Sequence, residues 1–255
     1  MKDKKRSTLP KDPRANNSDP FSIENPTKQA VWICAIVLLT LIIDQVIKIW
    51  VKTHMQLGEE IRVFDWFRIL FVENMGMAFG LELGSKLFLT FFRIIAMGLI
   101  AYAIVILIKS RHFSLGFLAC LALIFAGGIG NVIDSMFYGI IFSDSHGQVA
   151  ELFPTGGGYG TFMHGKVVDM LYFPLIDTVW PSWIPFIGGK SFTFFDPVFN
   201  FADSCISIGV ILLLVFHVRP FTEALEYFSN PRIRKATKTI NEEKRQSTQK
   251  EKVKK

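Results

Sequence analysis

The chain has four long apolar runs, at residues 31–51, 87–108, 113–137 and 198–218. Each is long enough to cross the hydrocarbon core of a bilayer, which takes about 20 residues of helix. A soluble α-helical domain is the alternative, but a chain of 255 residues is too short to bury four such runs in its core. The first run follows basic residues, as a signal peptide would. It is too long for a signal peptide and no small-residue cleavage site follows it, so we expect it to be retained as a span.

The connections on one side of the predicted spans show different patterns. Apolar and polar residues alternate at 61–64 and 68–72, and this period of two predicts a short β-hairpin resting at the membrane interface. The connection at 138–197 is rich in Gly, Pro and aromatic residues, and Trp favours the headgroup level. We therefore predict an all-α membrane protein: four transmembrane helices with a small extracytoplasmic β-containing segment.

Basic residues indicate the orientation. Seven lie at or before residue 28, two at 109–111 and eleven from 219 onward, together 20 of the 28 Lys and Arg residues. An even number of spans puts these segments on one side, which the positive-inside rule makes cytoplasmic. The predicted organisation is a basic tail at 1–28, a four-span domain at 29–218 and a basic tail at 219–255. This topology accounts for the net charge of +6 without nucleic acid. We expect the end of the second tail to be disordered and to meet anionic membrane lipid.

Polar side chains inside a bilayer are costly, so each is a candidate functional residue. In this chain they fall near the outer ends of spans one, three and four, or in the two outer connections. They are Asp44, Lys48, Asn74, Asn131, Asp134, Asp169, Asn200 and Asp203. Separate segments therefore place polar groups at one depth, just below the outer surface.

Some of these residues also have a structural explanation. Asp44 and Lys48 lie four apart on one helix face, acid first, which suits an ion pair between packed helices. Asn131 and Asp134 suit hydrogen bonds between helices. The glycines at 127–130 lie mid-span with no strand before them, so they predict close helix packing rather than a phosphate loop.

Asp169 and Asp203 are harder to explain in this way, because neither has a basic residue at helical spacing. Two carboxyl groups brought close together cannot both ionise easily, so one pKa rises and the pair shares a proton. The charged partner can then take a proton from water while the protonated one donates to a substrate carbonyl, as in aspartic proteases. This chemistry needs no metal and no cofactor.

Five segments, in order, resemble the lipoprotein signal peptidase family (signal peptidase II), and together they span about residues 31–217. The segments are Asp44-Gln45-x-x-Lys48, Asn74-x-Gly76-x-Ala78-Phe79, Gly127-Gly128-x-x-Asn131-x-x-Asp134, Val167-Val168-Asp169 and Phe199-Asn200-x-Ala202-Asp203-Ser204. One such segment alone is a weak signal, but five in order on spans of the right polarity are specific.

The resemblance implies an aspartic endopeptidase of the bacterial cytoplasmic (inner) membrane. Its substrates would be prolipoproteins, cut just before a cysteine that carries diacylglycerol, at an active site near the outer leaflet. Asp169 and Asp203 would be the catalytic pair. The resemblance also implies roles for seven other residues: Asn74, Gly76, Asn131 and Asn200 in substrate binding, and Asp44, Lys48 and Asp134 in support of the site.

The chain departs from the family pattern at two places. The family usually has Arg after the third-span aspartate, where this chain has Ser135, so the contact of that Arg is absent or is supplied by Arg93 or Lys166. Residues 143–163, with three consecutive glycines, form an insertion before Asp169. It suits either a flexible flap over the site or a lineage-specific ornament, and we favour the ornament.

Two other classes of function fit parts of the pattern. A small proton-coupled transporter would also carry Asp and Lys inside the membrane, but it would spread them across the full depth. Here the inner halves of spans three and four are apolar. A non-catalytic binding module would be expected to lack a complete pair, whereas both Asp169 and Asp203 are present.

Overall fold

A computed structural model describes residues 25–75 and 86–237, and the single positions 239, 242 and 246. Its helices are α1 (Pro26–His54), α2 (Lys86–Ser110), α3 (Leu115–Ile141), α4 (Phe201–Phe216) and α5 (Val218–Ser229). Its strands are β1 (Glu60–Phe64), β2 (Phe67–Asn74), β3 (Val167–Tyr172), β4 (Ile176–Val179), β5 (Ser191–Phe194) and β6 (Val198–Phe199).

Three of the described helices, α1, α2 and α3, are long and apolar enough to cross a membrane. By length and composition, the described residues contain a fourth candidate span only if α4 and α5 are counted as one, and these two helices meet at an angle of 94°. The fourth predicted span, 198–218, is also shorter as a helix than expected, because Val198–Phe199 form strand β6. The helix begins after Asn200, whose side chain accepts a hydrogen bond from the Asp203 N–H in a capping box.

The predicted hairpin is present, with β1 and β2 paired antiparallel. The expectation of an all-α fold is not met, however, because the hairpin is part of a four-stranded antiparallel sheet in the order β1-β2-β3-β6. A second hairpin, β4-β5, lies in the long aromatic connection. Pairing of β2 with β3 joins segments almost 100 residues apart, and local alternation cannot reveal such a contact.

Helix α3 is the central helix, and its glycines allow the close approach of its neighbours. A Cβ on Gly127 would lie 2.3 Å from the Ala202 carbonyl oxygen of α4. A Cβ on Gly130 would lie 2.5 Å from Asp44 Oδ2 of α1. The predicted packing role of the glycine segment is therefore confirmed.

Two apolar cores lie on either side of the polar residues. One contains Ile33 of α1 and Phe117 of α3, and Ala224 and Tyr227 of α5 pack into it, although these residues were expected in the basic tail. The other core combines α1, the last turn of α3 and the sheet, through residues such as Val168. Asp44 and Lys48 of α1, and Asn131 and Asp134 of α3, thus lie between the two cores.

Candidate active site

Lys48 lies at the centre of a buried polar cluster between α1 and α3. Its Nζ is 2.9 Å from Asp44 Oδ2 and 2.8 Å from Asp134 Oδ2, and none of the three side chains is more than 1% exposed. Nζ also donates to Asn131 Oδ1 at 2.9 Å. Two carboxylates and one amide oxygen therefore occupy the three donors of the ammonium group, which is how a buried charge becomes tolerable.

The carboxylates of this cluster also bind backbone on the elements that carry the predicted catalytic residues. Asp44 Oδ1 accepts from the Ala202 N–H in the first turn of α4 at 3.0 Å. Asp134 Oδ2 accepts from the Val168 N–H of β3 at 3.4 Å. The supporting residues predicted from sequence thus contact the neighbours of both Asp169 and Asp203.

Gln45 is a member of this cluster that the sequence-based site omitted. Its Nε2 donates to Asp44 Oδ2 and Asp134 Oδ1, each at 3.0 Å, and its Oε1 accepts from the Tyr138 hydroxyl at 3.1 Å. The available signal was a second polar residue directly after Asp44 inside an apolar run.

Asp169 and Asp203 are joined through two amide side chains. Asn200 Nδ2 donates to Asp169 Oδ1 at 2.7 Å and lies 3.1 Å from Asn131 Oδ1. Asn131 Nδ2 in turn donates to Asp203 Oδ1 at 2.8 Å. The structure therefore brings together residues from β3, α3 and α4 with Asn200, the N-cap of α4.

The environments of the two aspartates differ. Asp169 is 3% exposed in strand β3, whereas Asp203 is partly exposed at the start of α4. Burial, and secondarily the negative charge of Asp203, raises the pKa of Asp169 to about 7. Hydrogen bonds from Asn200 and Asn74 act in the opposite direction. Asp169 is thus the member of the pair suited to hold a proton at neutral pH.

Asn74, at the end of β2, also belongs to this site. It pairs with Val167 of β3, and its side chain hydrogen-bonds Asp169. Gly76, Ala78 and Phe79 of the same motif lie outside the described residues. Every other residue predicted for the site lies in the polar cluster or in the amide chain.

Arg93 of α2 lies next to Ser135, the residue that stands where the family usually has Arg. Its Nη1 lies 3.5 Å from Ser135 Oγ, and its charge acts on Asp203, Asp169 and Asp134, in decreasing order. Lys166 instead pairs with Glu73. Of the two alternatives, Arg93 is therefore the cation beside the aspartates.

Arg93 also lines a cleft next to Asn74. The cleft is bordered by β2, β3 and the ends of α2 and α3, and its lining residues are Asn74, Met75, Lys86, Leu89, Thr90, Arg93, Ser135, Gly165 and Val167.

Comparisons with known proteins show what this chain is similar to. The family model described as Signal peptidase (SPase) II matches residues 36–219. A lipoprotein signal peptidase of Porphyromonas gingivalis is 63% identical over 194 residues, covering 76% of this chain and 86% of that protein. One from Amoebophilus asiaticus is 38% identical over 195 residues, covering 74% and 78%. A bacterial membrane enzyme solved by the in meso method at 1.9 Å is 26% identical with a TM-score of 0.48, covering 73% of this chain and 92% of its own.

Proposed function

Because this chain belongs to the signal peptidase II family of aspartic proteases, which remove signal peptides from prolipoproteins, we propose that Asp169 and Asp203 are its catalytic pair. The observation that carries this assignment is the chain of hydrogen bonds from Asp169 through Asn200 and Asn131 to Asp203. In this chain each carboxyl group accepts a hydrogen bond from one amide side chain, and both lie at the edge of the polar cluster around Lys48. Membership of this peptidase family argues against the transporter and the non-catalytic binding module.

The proposed reaction follows from the different environments of the two carboxyl groups. Asp203, the more exposed one, takes a proton from water as the water oxygen bonds to the scissile carbonyl carbon. Protonated Asp169 donates its proton to the carbonyl oxygen, giving a neutral tetrahedral intermediate. When the intermediate collapses, the C–N bond breaks and the amide nitrogen leaves with the proton that Asp203 took from water. Asp169 takes back a proton from one hydroxyl as the C=O bond re-forms, so both carboxyl groups return to their starting states. The pKa of about 7 for Asp169 supports its role as the acid.

Substrate binding is proposed to involve Asn74, Gly76, Asn131 and Asn200. Asn74 ends strand β2, beside the cleft, so a substrate backbone in extended form would meet its side chain there. Asp44, Lys48 and Asp134 would act indirectly. The two carboxylates accept from the backbone N–H groups of Ala202 and Val168, and Lys48 holds both carboxylates. Arg93 would add positive charge beside the two carboxyl groups, where negative charge moves from Asp203 to Asp169 as the protons are transferred.

The proposed substrate is a prolipoprotein cut before a diacylglyceryl cysteine, in the bacterial inner membrane. The distribution of basic residues supports cytoplasmic termini, and it puts the sheet and the aspartates on the outer side. Acyl chains of the modified cysteine would then stay in the outer leaflet while its peptide bond meets the aspartates. Lipidated prolipoproteins and membrane lipid are the proposed partners, with no nucleic acid.

The test is cleavage of a lipidated precursor by purified variants in detergent. Asp169→Asn and Asp203→Asn should each lower kcat at least about a thousandfold, because each removes a proton-transfer group. Asp177→Asn, an exposed change on β4, is the matched control and should cleave normally. Near-normal turnover by either dyad variant would refute the assignment.

A further inference from the structure

A second buried charged cluster lies in the outer half of the protein, and the reaction does not use it. Lys52 of α1 pairs with Glu73 Oε1 of β2, and Lys166 Nζ lies 2.6 Å from Glu73 Oε2. The side chains of Lys52, Glu73 and Lys166 are 0%, 2% and 14% exposed. Two cations therefore share one carboxylate in a site almost closed to water, and such a site needs further polar partners.

The insertion at 143–163 supplies those partners. Ser145 Oγ accepts from Lys52 Nζ at 2.8 Å and donates to Glu73 Oε1 at 3.2 Å, and Ser145 is fully buried. The Tyr159 ring centroid lies 4.9 Å from Lys52 Nζ and 5.1 Å from Lys166 Nζ, so its π face serves both cations. Its hydroxyl accepts from the Lys166 backbone N–H at 2.7 Å.

The insertion is bonded to the end of α3 along its second half. Backbone N–H groups of residues 159, 160, 163 and 165 donate to carbonyls of residues 142, 139, 136 and 135, at 2.8–3.0 Å. Gly158 packs so closely that a Cβ there would lie 2.2 Å from the Gly139 carbonyl oxygen. These contacts hold the segment against the helix, which does not suit a flap.

The two sides of the sheet connect this cluster to the aspartates. Successive strand residues face opposite sides of a sheet. Glu73 and Asn74 are neighbours in β2, and they pair with Val168 and Val167 of β3. Asp169 follows Val168, so Asn74 and Asp169 share one face while Glu73 and Val168 share the other. The charged cluster thus lies on one face of strands β2 and β3, and Asn74 and Asp169 lie on the opposite face of the same two strands.

We propose that Ser145 and Tyr159 are positioning residues for the cleavage reaction, because they complete the buried Lys52–Glu73–Lys166 cluster that sets the placement of Asn74 and Asp169. This proposal rests on the proposed function, since it assumes that Asp169 is catalytic. In this proposal the insertion contributes to the reaction, whereas the sequence analysis favoured an insertion without a role at the site.

The proposal specifies which kinetic parameter changes. Neither side chain faces the cleft, so the affinity for substrate should be nearly unaffected. A small displacement of Asp169 would misalign proton transfer, and displacements of about 1 Å can cost up to about a hundredfold in rate. Looser packing would also admit water to Asp169 and bring its pKa closer to the ordinary value, which shifts the pH profile.

The experiment compares Ser145→Ala and Tyr159→Phe with the full-length enzyme in detergent, using a lipidated precursor. We expect kcat per folded enzyme to fall about tenfold with KM within about twofold. The upper limb of the pH–kcat profile should move to lower pH. Tyr159→Leu, which also removes the ring, should be slower than Tyr159→Phe. Ser143→Ala is the matched control: its Oγ accepts from the exposed Glu151 N–H, outside the cluster, so it should behave as wild type.

Unchanged kcat and an unchanged pH profile in Ser145→Ala and Tyr159→Phe would overturn the proposal, while loss of activity in Asp169→Asn would leave the dyad assignment standing. A fall in activity explained entirely by less folded enzyme, with the pH profile unmoved, would also overturn it. Normal cleavage by Asp169→Asn would refute both proposals together.

Discussion

Asn200 Nδ2 donates to the Asp169 carboxylate at 2.7 Å, while Oδ1 of the same side chain accepts from the Asp203 N–H and caps helix α4. One side chain therefore relates the positions of both aspartates. A residue whose local role is that of a helix cap thus has a second role in the site, because the cap lies at the junction of β6 and α4.

The pH dependence of cleavage should reflect the proton on Asp169. Burial and Asp203 raise its pKa to about 7, while Lys48 and the amides of Asn200 and Asn74 act in the opposite direction. A raised pKa means that the proton is kept up to that pH and lost above it. Activity should therefore persist to about pH 7 and decline at higher pH, as measured by kcat against pH.

The same prediction can be checked without turnover. In Asp203→Asn the neighbouring negative charge is absent, so the pKa of Asp169 should fall below its wild-type value while burial still keeps it above that of an exposed aspartate. Carboxyl ¹³C shifts of labelled Asp across pH would measure it. A full rate at pH 9, or the same pKa in both proteins, would contradict this account.

Loss of the Lys48 ammonium should destabilise the protein strongly. Lys48→Met leaves the buried carboxylates of Asp44 and Asp134 without their counter-ion, and breaking a buried pair in this way costs about 3–5 kcal/mol. The free energy of unfolding in mixed micelles is the measurement. Lys109→Met, the same change at an exposed position of α2, should stay within about 0.5 kcal/mol of wild type. Equal stabilities for the two variants would rule out this role for Lys48.

A methyl group on the packing face of α3 should disrupt the site. In Gly130→Ala the new Cβ would lie 2.5 Å from Asp44 Oδ2, so the buried Asp44 carboxylate or helix α1 must shift, at a cost of about 1–3 kcal/mol. Gly98→Ala on α2 has no heavy atom within 4 Å of its Cβ, and it should leave stability equal or slightly higher. Thermal unfolding and cleavage rates would separate the two variants, and a neutral Gly130→Ala would show that the helices tolerate a wider spacing.

Arg93 should contribute to the rate through its charge. Arg93→Gln removes the cation that acts on both aspartates, so kcat should fall about tenfold, and Arg93→Lys should recover part of it. Arg219→Gln, an exposed change in α5, serves as the control for loss of one positive charge. Wild-type kcat in Arg93→Gln would show that the arginine is not needed beside Ser135.

The sequence was enough to predict the two candidate aspartates and the polar residues at one depth, because polar groups inside apolar runs are rare and costly. It also predicted the glycine packing surface of α3. Asp44 and Lys48 could be paired from spacing alone, since one helix holds both. The partner on α3, Asp134, could not be assigned to Lys48, because nothing local indicates which side chains of two helices meet.

Other features depended on contacts between distant segments. Glu73 looks like an ordinary hairpin residue, and Lys52 looks like the end of a span, until β2 and β3 pair and the insertion covers them. The start of α4 at Phe201 depended on a cap that also binds Asp169.

The sequence by itself determined that the chain has helices apolar enough to span a membrane, that its polar residues collect near one end of them and which two aspartates have no basic residue at helical spacing. These properties follow from hydropathy and charge along the chain, which are local. Only the tertiary structure decided that the amides of Asn131 and Asn200 join those aspartates and that the insertion completes a buried charged cluster behind them. Such contacts arise when helices and strands far apart in sequence pack together, and buried polar groups must then find partners wherever the fold brings them.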